Sequence, residues 1–261
     1  LWFFILLELF PLYMMLQVSF KDNAGFIANP WLPAPPAEWL WENWPLGLKL
    51  IGPALANTTF VATFGTLGSI ALAILGAYFF ARYRMPFSRV LWAAFLTLML
   101  LPGVTSIVPL FILLKQLHLL NTLWALIIVG VAGAQVFNIF VLRNFIEDLP
   151  KDLFEAAEMD GAGHLQQIVH IVIPMSAPII GTLSILTFLQ HWNEFLLPLI
   201  ILRDQEKFTL GVALIHLDGA YVKQWGQIMA AYFIAAVPLI GIFLLAVRLF
   251  VRGLSSGALK G

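Results

Sequence analysis

From Thr58 to Ala81, and again from Val90 to Leu114, the chain carries no charged side chain. A helix needs about 20 apolar residues to cross roughly 30 Å of hydrocarbon, so each run is long enough to span a bilayer. Four further stretches qualify, and together they predict an all-α membrane protein with six transmembrane helices. The spans are expected near 1–20, 58–81, 90–114, 122–142, 175–202 and 228–250, the last built on the apolar stretch Ile228–Val247. Glu8 and Pro11 interrupt the first, Pro102 and Pro109 lie in the third, His191 and Glu194 in the fifth, and Pro238 in the sixth. Prolines are tolerated in such helices because neighbouring helices re-satisfy the freed backbone groups. The whole chain, 1–261, reads as one transmembrane domain.

Composition supports this and excludes much else. Charged residues make up 11% of the chain and hydrophobic ones 61%, against about 25% charged in a soluble domain. The polar surface is too small for water, so lipid must be the main solvent. The formal net charge is zero, which gives no basis for a nucleic-acid partner. There is no cysteine, hence no disulfide framework and no thiolate chemistry. Leu1 already lies in an apolar run that lacks a basic n-region and a small-residue cleavage site, so a first span is expected rather than a signal peptide. A short segment is expected to precede it.

Lys and Arg give the orientation. With a cytoplasmic N-terminus, the inner segments hold Arg82, Arg84, Arg89, Arg143, Lys151, Arg248, Arg252 and Lys260, all near span ends. The outer segments hold Lys21, Lys49, Lys115, Arg203, Lys207 and Lys223, accompanied by acidic residues. Both termini are therefore expected in the cytoplasm. The outer loop, 21–56, is rich in Pro and Trp, including Trp31, Trp39, Trp41 and Trp44. Trp at this density suits a membrane interface; a docking surface for an extracytoplasmic partner is the other reading.

One polar segment breaks the pattern. Residues 144–174 form an inner loop in which Asp152 and Glu155 make a capping-box-like start. A short helix follows, and Gly161 and Gly163 stop it. A second short helix, His164 to His170, leads to Pro174 and the fifth span. Ala157 and Gly161 are four apart, on one face or at its end, where small side chains let another backbone approach. Glu155, Glu158 and Asp160 add a negative rim. A helix resting on lipid would favour Lys and Arg on its polar face, and this one is acidic.

The chain offers little chemistry of its own. There is no Gly-Lys pair, so a phosphate-binding loop is absent. Gly253-Leu254-Ser255-Ser256-Gly257 matches a hydrolase pattern by letter only, in a tail after a span. His118, His164, His170, His191 and His216 are dispersed; only His164 and His170 are close in sequence, and six apart on a helix does not bring two side chains together. Polar groups inside spans are costly and usually face the bundle interior. Gln190, His191, Trp192, Asn193 and Glu194 form such a run, with Gln190 and Glu194 four apart and expected on one face. An aromatic with amides and a carboxylate suits a sugar; interhelical hydrogen bonding suits the same residues. Gln135 and Asn138 invite the same two readings. An enzyme using His191 and Glu194 as an acid/base pair is a further alternative, though no second catalytic segment converges on them.

Glu155-Ala156-Ala157, three residues, Gly161, nine residues, and Ile171-Val172-Ile173-Pro174 resemble the EAA motif of ABC-importer permease subunits, with Ile173 where Leu is usual. Ser19-Phe20-Lys21, Gly76 through Arg82, Trp192-Asn193-Glu194-Phe195, and Gly253-Leu254 with Gly257 through Gly261 are similar to the carbohydrate branch, of the maltose-permease G type. The resemblance covers essentially the whole chain. It implies a subunit of the bacterial inner membrane that works by alternating access with a second, homologous permease. Two ATPase subunits would bind ATP and Mg, a solute-binding protein would deliver substrate from outside, and this chain would hold no cofactor and catalyse nothing. The elbow between spans four and five would meet an ATPase through Glu155, Ala156, Ala157, Glu158, Asp160, Gly161, Ile171 and Pro174. Gly257, Lys260 and Gly261 in the tail would approach the ATPase pair. A sugar or sugar-like solute is implied, with a non-sugar solute as the alternative.

Overall fold

Pro45 and Pro53 do not stop the helix that contains them. In the computed structural model, which describes residues 2–83, 86–100, 106–218 and 223–258, helix α3 runs Asn43–Arg82. The second span was expected to begin at Thr58, and the loop before it to reach residue 56; the helix instead starts at Asn43. Pro45 sits in the first turn, where the backbone N–H has no helical partner in any case. Lys49 is the one charged residue between Asn43 and Ala81.

The other helices are α1 Trp2–Val18, α2 Asn23–Ala28, α4 Ser88–Thr97, α5 Ile107–Gln116, α6 Leu123–Glu147, α7 Lys151–Met159 and α8 His164–Gln167. After α8 a π-helical turn, Ile168–Val172, leads into α9 Ile173–Met175. Then come α10 Ala177–Asn193, α11 Leu196–Ile201, α12 Leu210–Asp218 and α13 Trp225–Ala258. No strand occurs among the described residues. Asn43–Arg82, Leu123–Glu147 and Trp225–Leu244 are long and apolar enough to cross a membrane. A fourth crossing results if His164–Met175 and Ala177–Ile201, bent by 83°, form one span. The first and third expected spans correspond to shorter apolar helices, Phe3–Val18, Val90–Leu100 and Ile107–Gln116; residues 101–105 of the third lie outside the described residues.

The fifth expected span is interrupted twice, for one physical reason. Pro178 has no N–H for the carbonyl four residues back, at Pro174, and its ring crowds that carbonyl; the bend falls between, at Ser176. Pro198 has the same relation to Glu194, which leaves the helix with φ −65° and ψ 122°. Gln190 and Glu194 therefore do not share a helix face.

Two compact units form, residues 1–59 with 198–244, and residues 60–197 with 245–261. In the first, Phe20 stacks on Trp39 with ring centroids 4.6 Å apart and meets Trp41 edge-on. Asn43 Nδ2 donates to the Ser19 and Lys21 carbonyls at 2.9 and 3.0 Å. Thr58 Oγ1 accepts from the Leu210 amide at 2.7 Å, at the start of α12. Lys21 is buried, and that burial pulls its amine below the usual lysine range.

The second unit is built on small residues. Gly65, Ser69, Ala73 and Ala77 recur every four residues along α3 and are all buried. Gly130, Ala134 and Asn138 do the same on α6, with Gly130 half-buried, and the large Leu142 and Ile146 continue the buried row. Such stripes let helix backbones approach closely, which is how helices associate where no water drives them together. A Cβ on Gly76 would stand 2.6 Å from Ile139 Cδ1, and one on Gly68 would stand 2.9 Å from Val131 Cγ2. The apolar core of this unit takes Ile70 and Ile74 from α3, Ile139 and Leu142 from α6, and Leu183 from α10.

Candidate functional site

The elbow is α7 followed by α8 and its π-helical turn. Helix α7 starts at Lys151 with Pro150 as its N-cap, and no side chain caps it. Asp152, expected as the cap, lies instead in the first turn, where its charge still complements the helix dipole. The stop falls at Gly161 as expected, whereas Gly163, expected to share it, is the N-cap of α8. Gly161 takes φ +77°, the Ala162 amide reaches the Ala157 carbonyl at 2.8 Å, and the Gly161 amide reaches that of Glu158 at 3.0 Å. This is a Schellman closure, and it requires the left-handed conformation that glycine adopts freely. A Cβ on Gly161 would meet nothing within 4 Å, so its surface is open.

One face of the elbow is fastened and the other is free. Phe154 is fully buried in the core that α3, α6 and α10 share, joined there by Ile168 and Val172 of the π-helical turn. The Arg82 guanidinium lies 4.1 Å over the Phe154 ring and 3.9 Å from Glu158 Oε1. Tyr78 donates its hydroxyl proton to Gln167 Oε1 at 2.7 Å, and its oxygen lies 2.9 Å from His164 Nδ1. The end of α3 thus holds α7 and α8 together. Both Tyr78 and Gln167 are buried, so neither polar group is left to water.

Most residues read from the sequence lie on the free face. Glu155, Ala156, Glu158, Asp160, Gly161 and Pro174 are exposed, while Ala157 and Ile171 are half-buried. Ala157, Asp160, Gly161 and Ile171 line one cavity of about 300 Å³, with Gln166 and His170. Glu155 lines a second, of about 460 Å³, with Arg82, Glu147 and Lys151. Met159 and Leu165 stand 88% and 68% exposed on the same elbow. Sequence reasoning missed these two, although large apolar residues in a polar loop are a readable signal.

The polar run in α10 is dispersed. Gln190, Asn193 and Glu194 are exposed, and Trp192 is buried, stacked on Phe188 with centroids 5.6 Å apart. Glu194 Oε1 accepts from the Leu197 amide at 3.3 Å and so caps α11. Asn138 is buried and bonds Thr187 Oγ1 of α10 at 3.1 Å. Gln135 Nε2 donates to the Ser69 and Val131 carbonyls at 3.2 and 2.7 Å. His191 is buried where three helices meet: its Nε2 lies 3.5 Å from Ser69 Oγ and would lie 2.9 Å from a Cβ on Gly65. A Cβ on Gly130 would overlap the ring. His191 and Glu194 thus go to different partners and form no acid–base pair. Of the tail residues, Gly257 falls within α13; Lys260 and Gly261 lie outside the described residues.

Residues 69–256 match the model of the binding-protein-dependent transport system inner membrane component. The chain belongs to this family. The permease is 39% identical, over 78% of its length and 74% of the other's, to a probable ABC transporter permease of Pyrococcus horikoshii. It is 31% identical to the melibiose/raffinose/stachyose import permease MelC of Bacillus subtilis, over 96% and 91% of the two chains. It is 34% identical to the sn-glycerol-3-phosphate transport system permease UgpE of Yersinia pestis, over 96% and 92%. A crystal structure of a bacterial ABC transporter that imports the acidic polysaccharide alginate contains a chain of the same fold. The two agree with a TM-score of 0.83 at 24% identity, over 94% and 92% of the chains.

Proposed function

We propose that this permease is the translocation subunit of an ATP-driven importer of a carbohydrate or sugar-like solute, and that its elbow receives the stroke of a partner ATPase. The observation that carries this reading is the two-faced elbow: Phe154 locks it into the span core while Glu155, Ala156 and Gly161 stay free. A partner gripping the free face would move α3, α6 and α10 with it. ATP binding elsewhere biases one bistable element here, and a second permease completes the pathway. ATP and Mg sit on the ATPase pair, so this chain performs no catalysis. A solute-binding protein brings the substrate from outside.

In this arrangement six helices cross the bilayer, α4 and α5 together making the third crossing and α1 the first. Both termini and the elbow face the cytoplasm, with the Gly257–Gly261 tail close to the ATPases. Gln190, Asn193 and Glu194 supply polar groups toward the pathway, while Gln135 and Asn138 are engaged between helices and Trp192 is buried against Phe188 of its own helix. The similarity to MelC favours a sugar; the similarity to UgpE favours a small phosphorylated polyol as the second reading.

The test is co-purification. Glu155→Lys reverses a charge on the free face, and Ala156→Trp adds bulk at an exposed helical position there. Each is expected to strip the ATPase from the purified complex and to abolish ATP-driven uptake, with insertion of the permease unchanged. If the complex and uptake survive both substitutions, the elbow is not the coupling site.

A further inference from the structure

Between Asp22 and Glu38 the chain has no charged side chain, yet its backbone is tied with unusual care. Four successive carbonyls, Asn29 to Leu32, each accept from a side chain of α1 or its end. Lys21 Nζ donates to Asn29 and Leu32 at 2.6 and 2.5 Å. Gln17 Nε2 donates to Pro30 at 2.5 Å, and the Tyr13 hydroxyl to Trp31 at 3.4 Å. The Trp31 and Leu32 amides go to Asn29 Oδ1 at 3.1 and 3.2 Å. A loop in water needs none of this, since water satisfies carbonyls without burying a lysine. A segment meeting an apolar medium does need it, because every backbone polar group must then be satisfied internally.

The side chains point the other way. Ile27, Trp31 and Leu32 are 77%, 63% and 62% exposed. The Trp31 ring stacks on Phe10 of α1 with centroids 6.5 Å apart, and α1 exposes Phe3, Phe4, Leu6 and Leu7 beyond it. Trp31 thus joins the exposed apolar residues of α1 at Phe10, with Glu8 the one exposed charged side chain on that helix. Protein-docking surfaces carry a polar rim; aromatic and aliphatic side chains beside a span suit the headgroup level.

We propose that residues 26–32 lie in the boundary between lipid headgroups and acyl chains, as an interfacial anchor whose partner is the bilayer. This rests on the reading of the chain as a bilayer-spanning permease. The test uses the absence of cysteine from the chain. Spin labels are placed singly at I27C and L32C, with E206C as the exposed reference and L67C in the middle of α3. The whole transporter is reconstituted in phosphatidylethanolamine–phosphatidylglycerol vesicles, and label collisions with oxygen and with a water-soluble nickel chelate are compared. The expected oxygen-to-nickel ratio at I27C and L32C is severalfold above that at E206C, and adding the solute-binding protein leaves it unchanged. Nickel contact equal to that at E206C overturns the anchor. So does shielding that arises only with the binding protein, which marks a docking surface, or shielding from both agents, which marks cover by another subunit. Nickel shielding at L67C separates these failures from failure of the bilayer-spanning reading itself.

Discussion

Phe154→Ala is expected to leave the permease in the membrane while abolishing ATP-driven uptake. The side chain is fully buried between α7 and the helices α3, α6 and α10. Truncating a buried Phe costs about 3–5 kcal/mol, and here the loss falls on the joint between elbow and spans. The Arg82 guanidinium loses its ring in the same change. Because 1.4 kcal/mol is a factor of about ten in an equilibrium, the detached form of the elbow would be populated more than about a hundredfold above its level in the unaltered protein. ATPase activity of the purified complex, measured with and without solute-binding protein, checks this: the variant is expected to hydrolyse ATP without stimulation by the binding protein. Phe154→Leu, which keeps most of the volume, is expected to retain most of the stimulation. Full stimulation in Phe154→Ala would mean that the joint lies elsewhere.

The second large effect is expected at Gly130. A side chain there overlaps the His191 ring, which already fits against Gly65 and Ser69. Overpacking a core typically costs about 1–3 kcal/mol, so Gly130→Val is expected to lower the thermal midpoint of the complex in detergent. Removing the ring opens the space that the valine needs. Gly130→Val with His191→Ala should therefore be more stable than the sum of the single changes, with a coupling of about 0.5–3 kcal/mol. Additive effects would show that His191 does not set the contact between α6 and α10.

Apolar run length alone made the all-helical, membrane-embedded character legible. The elbow was legible from Gly161 and the acidic helix before it, because helix stops and caps are local. Contacts across the sequence were not legible. The start of α3 moved from Thr58 to Asn43 because Pro45 and Lys49 read as loop residues, although a first-turn proline costs a helix nothing. The break at Glu194 was written in Pro198, four residues on, and the run length hid it. Gln190 and Glu194 were placed on one face as a result. His191 drew attention as a titratable group, but its position depends on Gly65 and Gly130, 126 and 61 residues away in the sequence. Phe154 looks in sequence like one more apolar residue on a short helix, and only packing distinguishes it from the exposed Leu153 and Met159.

The central claim is that the free face of the elbow meets the ATPase. A photo-activatable crosslinker placed at Ala156→Cys in this cysteine-free chain, in membranes containing the whole transporter, tests it most directly. The account predicts one dominant adduct, to the ATPase subunit, whose yield changes between nucleotide-free and ATP-bound conditions. Adducts to lipid alone, or to the second permease with no ATPase among the products, would contradict it.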